Sequence, residues 1–228
     1  MSERPILFAP PVVSAILSGA KTQTRRTVRG DDRTISAVFA TQDDAHRPPS
    51  PFGLPGDRLW VRETWRPEER DDGFDGVRYA ADDAFVLIDE TPKAADAWVQ
   101  VYKRDGRWRP SIHMPRWASR LTLEITDVRV ERLQDISEAD ARAEGIPLDV
   151  WDAALVAPNY LTDGEFFQDW REDEPHFAKS ERIAVESYRT LWDSLNAKRA
   201  PWSSNPWVWV LSFKRVESKI PATRRSAE

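Results

Sequence analysis

No apolar run in this chain lasts more than a few residues before a proline, a glycine or a charge interrupts it, and 17 of its 228 residues are proline. Proline withholds the N–H that a helix interior or a central strand needs, so the chain is expected to fold as short elements joined by turns. No stretch approaches the roughly 20 apolar residues of a membrane span, and MSERPILF lacks the basic and apolar regions of a secretory leader. A cytoplasmic location is the expectation. The absence of cysteine excludes disulfides, a thiolate nucleophile and a cysteine-bound zinc, while His46, His113 and His176 are too scattered for an all-histidine site. Neither metal nor cofactor is expected, since no G-x-G-x-x-G, P-loop or HExxH pattern occurs.

Residues 6–8 predict a short strand. Pro10 and Pro11 then open a helix where an N–H would have no intrahelical partner, with Val12, Val13, Ile16 and Leu17 inward and Gly19 as its left-handed stop. Residues 21–28, rich in threonine, read as extended chain. LPGD turns into a strand over 58–65, where Leu59, Val61 and Glu63 alternate with Trp60, Arg62 and Thr64; from Arg66 to Gly76 the chain is charged and turn-rich. Residues 77–81, 85–88 and 98–102 are short strands or half-turns, and 108–120 an ordered loop. Leu121, Leu123 and Ile125 mark the clearest strand, continued by Val128 and Val130 past an irregularity near Asp127. Ser137 caps a helix that Gly145 closes. Ile183, Tyr188, Leu191, Trp192 and Leu195 give another helix its buried stripe, and 207–216 is a strand with bulky residues on both faces.

Short helices among five or more strands predict an α+β fold, a small mixed or antiparallel β-barrel with flanking helices. One domain over 1–216 is expected, with excursions at 30–50 and 66–118, an acidic insertion at 146–179 that is partly helical around 150–156, and a frayed tail at 217–228. The net charge of -5 is uneven: from Asp149 to Glu174 eight acids face only Arg171, and the rest of the chain is slightly positive. Lys21, Arg25, Arg26, Arg29 and Arg33 against Asp31 and Asp32 form a modest basic patch. Such a patch suits a small anionic or nucleotide-like ligand better than indiscriminate duplex binding. Of the eleven tryptophans, most serve as core anchors and a minority is available to stack on something flat.

GAKTQTRR (19–26) resembles the G-x-K-T-x-T-x-R signature of the ASCH domain, a branch of the PUA-like superfamily of nucleic-acid and nucleoside binders. PGDRLWVRETW (55–65) is similar to that family's turn into a barrel strand, and ISEADARAEGI (136–146) to its helix ending in a glutamate. With PSIHMPRWASR and NPWVWV, the chain resembles ASCH proteins encoded in phages and prophages, some labelled morphogenetic. The resemblance covers residues 5–28, 51–65 and 119–146, with 207–216 completing the barrel, and implies a PUA-like fold.

A subset of small ASCH proteins deacylates N4-acetylcytidine, and the resemblance implies Lys21, Thr24 and Glu144 as the catalytic residues here. Lys21 would be base or oxyanion stabiliser, Thr24 nucleophile or substrate anchor, and Glu144 proton carrier. Lys21 follows a helix C-terminus, whose partial negative charge favours the ammonium; a basic Lys21 needs burial beside Arg25 or Arg26, and otherwise it acts as a charged clamp. Where the small amidohydrolases carry a histidine, this chain has Asp140. Candidate ligand contacts are Arg25 and Arg26 for a phosphate, Trp60, Trp65 and Trp117 for stacking, Glu63, and His113 in the setting of Trp108 and Trp117. Glu63 is also placed to pair with Arg62 or Arg66. Three readings stay open: an amidohydrolase of acylated cytosine nucleosides, a non-catalytic reader of single-stranded RNA or a modified base, and a phage structural or interaction protein.

Overall fold

A computed structural model of the chain describes residues 1–30, 34–36, 49–71, 73–88, 92–102, 106–151, 154–168, 177–179 and 182–216. Most of the excursion expected at 30–50, the tail 217–228, His46, His176 and parts of the 66–118 and 146–179 stretches lie outside these residues. In chain order the first elements are β1 (Glu3–Leu7), α1 (Pro10–Leu17), β2 (Gln23–Thr27), β3 (Arg58–Arg62), β4 (Trp65–Glu69), β5 (Asp75–Tyr79), β6 (Phe85–Leu87) and α2 (Pro92–Tyr102). There follow β7 (Thr122–Arg132), α3 (Glu138–Ala143), β8 (Asp149–Trp151), β9 (Ala154–Pro158), β10 (Phe166–Gln168), β11 (Phe177–Lys179), α4 (Ile183–Asn196) and β12 (Trp207–Val216). The fold is α+β with mostly antiparallel pairing, and it divides into two compact units. The first draws on 1–17, 55–125 and the described part of 214–228, the second on 18–54 and 126–213. No sheet within either unit closes into a barrel among the described residues.

In the first unit β1 runs parallel to β3, and β3 antiparallel to the start of β7. Strand alternation buries Leu59 and Val61 and turns Arg58, Trp60 and Arg62 to the opposite face. Gly56, at φ +90°, makes the LPGD turn that leads in. The strand expected through 58–65 ends at Arg62, and the turn-rich stretch expected after it is instead a second strand, β4, in a three-stranded antiparallel sheet with β5 and β6. Trp65 explains the difference. Its ring is buried with Val77, Tyr79, Val86, Met114 and Ala118, so the chain turns aside to bury it, and the charges beyond are paired, Glu68 with Arg66 along β4 and with Arg78 across on β5. Residues 98–102 are the end of α2, where the buried Trp98 donates its indole N–H to the Gly76 carbonyl at 2.8 Å. An apolar run that short does not distinguish helix from strand. The loop at 108–120 is ordered by two 3₁₀ turns, Ser111–His113 and Arg116–Ala118.

In the second unit β12 pairs antiparallel with β2, placing Val210 opposite Arg25 and Leu211 opposite Thr24. Val208 and Val210 pack with Leu133, Ile136 and the α4 residues Ile183, Tyr188 and Trp192, whereas Trp209 packs with Ile35, Val128 and Val130. The strand is therefore buried on both faces, as its composition predicts. Strand β7 is continuous through Asp127, and alternation sends Val128 and Val130 to the Trp209 side and Arg129 and Glu131 to the other. Ser137 caps α3 by accepting the Asp140 N–H at 3.1 Å, and Gly145 at φ +94° ends it. The acidic stretch carries strands β8 to β11 in a four-stranded sheet, not a helix at 150–156, because Ala154, Val156, Ala157 and Phe167 find burial as strand residues. Leu195, expected in the buried stripe of α4, is 63% exposed; the stripe ends at Trp192. Among the described residues no helix is long and apolar enough to cross a membrane.

Candidate functional site

The second unit concentrates its buried charge where β2 meets the end of α3. Gly19, at φ +81°, stops α1 and lets the chain enter extended structure. Lys21 then faces Glu144 as an isolated antiparallel bridge, and the next N–H, of Thr22, donates to the Ala143 carbonyl at 2.8 Å. These backbone contacts bring the side chains together. Lys21 Nζ donates to Glu144 Oε2 at 2.5 Å and to the Glu144 carbonyl at 2.8 Å, with both side chains about nineteen-twentieths covered, at 5% and 4% exposure. The glutamate at the end of α3 is thus a buried partner of Lys21.

Arg25 extends the pair into a network. Strand alternation places it on the same face as Gln23, where Nη1 donates to Gln23 Oε1 at 2.7 Å and to the second Glu144 oxygen at 3.2 Å. Its Nη2 donates to Glu131 Oε1 at 2.5 Å and to Asp140 Oδ2 at 3.3 Å, and Nε also reaches Glu131. Arg129 closes the circuit by donating to Glu131 and Asp140, and the Gln23 amide donates to Asp140 Oδ1 at 3.1 Å and to Ser212 Oγ at 3.3 Å. Lys21, Arg25 and Arg129 are matched by Glu144, Glu131 and Asp140. The arrangement is a charge-balanced relay of carboxylates and cations running from a half-exposed rim at Asp140 and Arg129 to a covered floor at Lys21 and Glu144.

Burial pushes the Lys21 ammonium below its ordinary range; the Glu144 carboxylate opposes that shift, and the neighbouring charges of Arg26 and Arg25 add to it. Asp140 is pushed up by burial, but the Gln23 hydrogen bond and the charges of Arg129 and Arg25 outweigh this and hold it below the usual carboxylate range. Burial, together with the Glu144 carboxylate that its hydroxyl bonds, keeps Tyr188 neutral well above the ordinary tyrosine range. The Arg25 guanidinium lies 5.9 Å from the centre of that ring. Tyr188 therefore forms the apolar floor of the network and supplies one more donor to Glu144.

Lys21, Arg25 and Glu144 are brought together, but Thr24 does not join them. It is buried on the opposite face of β2 from Gln23 and Arg25, across from Leu211. Arg26 shares that face, half-buried opposite Trp209, and reaches the pair through its charge. The remaining candidates belong to the first unit. Glu63 is fully covered and takes both Arg120 Nε and Nη2 at 2.9 Å, not Arg62 or Arg66; Arg120 also holds Asp82 with two bonds of 2.8 Å. Trp65 is a core residue at 1% exposure, and Trp117 sits edge-on to it with ring centres 5.8 Å apart. His113 is exposed at the end of its 3₁₀ turn, and Trp60 is half-buried on the outer face of β3. The composition and motif missed Gln23, Arg129, Glu131 and Tyr188 as members of the network. A signal existed in Arg129-Val130-Glu131, charges alternating with valines on a strand, but its meaning required knowing that Arg25 lies across from it.

Among the described residues no cluster of three or more histidine, aspartate or glutamate side chains is arranged to hold a metal ion. Comparison of the chain with protein-family models, with curated proteins and with solved structures finds no match.

Proposed function

We propose that the chain is an ASCH-type protein on a PUA-like barrel, acting in the cytoplasm on a modified nucleoside, and that Lys21 and Glu144 hydrolyse the amide of an N4-acylated cytosine. One observation carries the reading: a lysine and a glutamate predicted as partners from residues far apart in sequence meet at 2.5 Å in a covered site, with the lysine's proton affinity reduced by burial. Amide hydrolysis needs a group that takes a proton from the attacking water and one that returns a proton to the departing amine. Water adds to the acyl carbon, the C–N bond breaks, and the products are a carboxylic acid and the free exocyclic amine. A buried lysine with lowered proton affinity and a carboxylate sharing its proton are suited to both transfers. Arg25 and Tyr188 hold Glu144 in place. Thr24, on the other face of β2, takes no nucleophilic part in this scheme.

Incubating the protein with N4-acetylcytidine and related acylated nucleosides, followed by mass detection of the released acid and amine, tests the reading. Turnover is expected from the wild type and not from Lys21→Ala or Glu144→Gln. Lys21→Arg separates two roles, because arginine keeps the charge but does not give up its proton. Binding of a modified nucleoside without release of acid would replace the enzyme by a base reader.

A further inference from the structure

We infer that the open edge of β8 in the second unit docks an extended, basic segment of a partner protein, which adds to the sheet as a further strand. The sheet order is β11-β10-β9-β8, so among the described residues β8 is paired on one side only. Its register sets Asp149, Val150 and Trp151 against Val156, Leu155 and Ala154. Trp151 and Ala154 are only two residues apart in sequence, and antiparallel partners that close exchange hydrogen bonds with each other. Ladder alternation then turns the N–H and C=O of Val150 to the open side. Edges that stay solitary are guarded by a lysine, a proline or a bulge, and β8 has none of these.

Both faces of the edge carry exposed apolar groups, Val150 at 67% and Trp151 at 44%. Val150 lies on the face of Leu155, which with Leu148 packs partly buried against the core of Ala157, Ile183 and Tyr188. The apolar surface therefore runs out to the edge and ends there in solvent. On the other face, beside Asp149, Trp151 is held against the Phe166 ring with centres 4.6 Å apart. Charge selects the occupant. Residues 149–174 hold eight acids against Arg171, and Asp149, Asp163 and Glu165 are exposed. A second copy would bring the same negative charge to the edge. A segment that alternates lysine or arginine with apolar residues fits both faces, its cations against Asp149 and the Trp151 ring and its apolar groups against Val150. This inference does not depend on the hydrolytic reading, which concerns Lys21 and Glu144.

Fluorescence anisotropy with labelled heptapeptides tests it: alternating lysine and valine, the same with glutamate for lysine, lysine throughout, and the lysine–valine peptide with its central valine replaced by proline. The alternating lysine peptide is expected to bind, more weakly as salt rises, and the others to bind about tenfold more weakly or not at all. Val150→Pro removes the outward N–H without touching the pairing with β9, and should cost about fivefold, the loss of one backbone hydrogen bond. Val150→Ser keeps that N–H and should cost about fivefold through lost apolar contact. Circular dichroism checks both folds, and the serine variant carries the test if the proline variant does not fold. Sedimentation of the protein alone looks for a second copy at the same edge. Equal binding of the all-lysine or glutamate peptide, no binding of the alternating lysine peptide, unchanged affinity in a folded Val150→Ser, or a wild-type dimer that Val150→Pro dissolves would overturn the inference.

Discussion

Lys21 Nζ and Glu144 Oε2 stand 2.5 Å apart, and the same two residues face each other as a backbone bridge, so one contact ties the start of β2 to the end of α3. Arg25 occupies the other carboxylate oxygen of Glu144. A carboxylate shared between a lysine and an arginine in a covered site gains its stability only as a complete set, since each charge depends on the others for the solvation it has lost.

Breaking the set at one point should therefore be costly. Lys21→Met leaves Glu144 with Arg25 and Tyr188 but without its nearest cation, and a loss of about 3 kcal/mol is expected, at the lower end of what removing one partner of a buried pair costs. The double variant Lys21→Met with Glu144→Leu should recover part of it, because no unpaired charge then remains. Urea unfolding of the two single variants and the double gives the coupling directly. Additive losses would show that the pair does not act as a unit.

Asp140 links stability to acid pH. Its carboxyl is held below the unfolded value of 3.8, so the unfolded chain binds the proton first. The contribution is present above that value and is lost as pH falls through the lower folded one. Asp140→Asn should remove this part of the acid limb, so that stability measured by urea unfolding falls less steeply below pH 3.8 than in the wild type. An unaltered acid limb would count against a role for Asp140 in the network.

Much of this architecture is legible where one local cause decides the outcome. Gly19, Ser137 and Gly145 set helix ends through backbone preferences, and all three perform those parts. The contact of Lys21 with Glu144 follows the motif. What eluded the reading depends on partners remote in sequence: β4 exists because Trp65 is buried among Tyr79 and Met114, and Arg25 is satisfied by Glu131 and Asp140, more than a hundred residues away. Thr24 shows the opposite failure. Its place in the motif suggested a shared site, whereas strand alternation directs it to the other face.

In the first unit, Arg120 is held by four bonds between Glu63 and Asp82 and lies 4.0 Å from the centre of the Tyr79 ring. Arg120→Ala would leave the fully covered Glu63 without a cation, and about 3–5 kcal/mol of stability should be lost. Arg120→Lys keeps the charge but not the two-sided fork, so an intermediate loss is expected. Thermal and urea unfolding of both variants check the order. A lysine variant as stable as the wild type would show that the charge alone suffices.

Gly76 tests the packing of the same unit without touching any charge. It sits on β5 where a methyl group would strike the Phe85 ring and stand 2.7 Å from the Val86 carbonyl oxygen. The ring can shift, but the carbonyl belongs to β6, paired with β5 through Gly76 itself, so Gly76→Ala must strain the sheet. A loss of about 1–3 kcal/mol is expected, as for other overpacked sites, with the denaturant slope unchanged. A neutral variant would mean that β6 yields easily.

The four tyrosines provide the last check, at alkaline pH. Burial, and for Tyr188 the nearby Glu144 carboxylate, raises Tyr79 and Tyr188 far above the ordinary value of 10.0, while Tyr102, raised chiefly by the Glu69 charge, and Tyr160, raised by partial burial, are 36% and 38% exposed. A folded value above the unfolded one means that stability is fully present below pH 10.0 and is lost as pH rises through the folded value, since only the unfolded chain releases the proton readily. Tyrosinate absorbance should accordingly rise in two stages. Tyr102 and Tyr160 ionise first, and Tyr79 and Tyr188 ionise together with the loss of the circular dichroism signal. Tyr188→Phe should remove one ionisation from the second stage and, by taking a donor from Glu144, lower the midpoint of urea unfolding at neutral pH by about 1 kcal/mol in stability. Ionisation of all four tyrosines before unfolding would contradict the covered floor beneath Lys21 and Glu144.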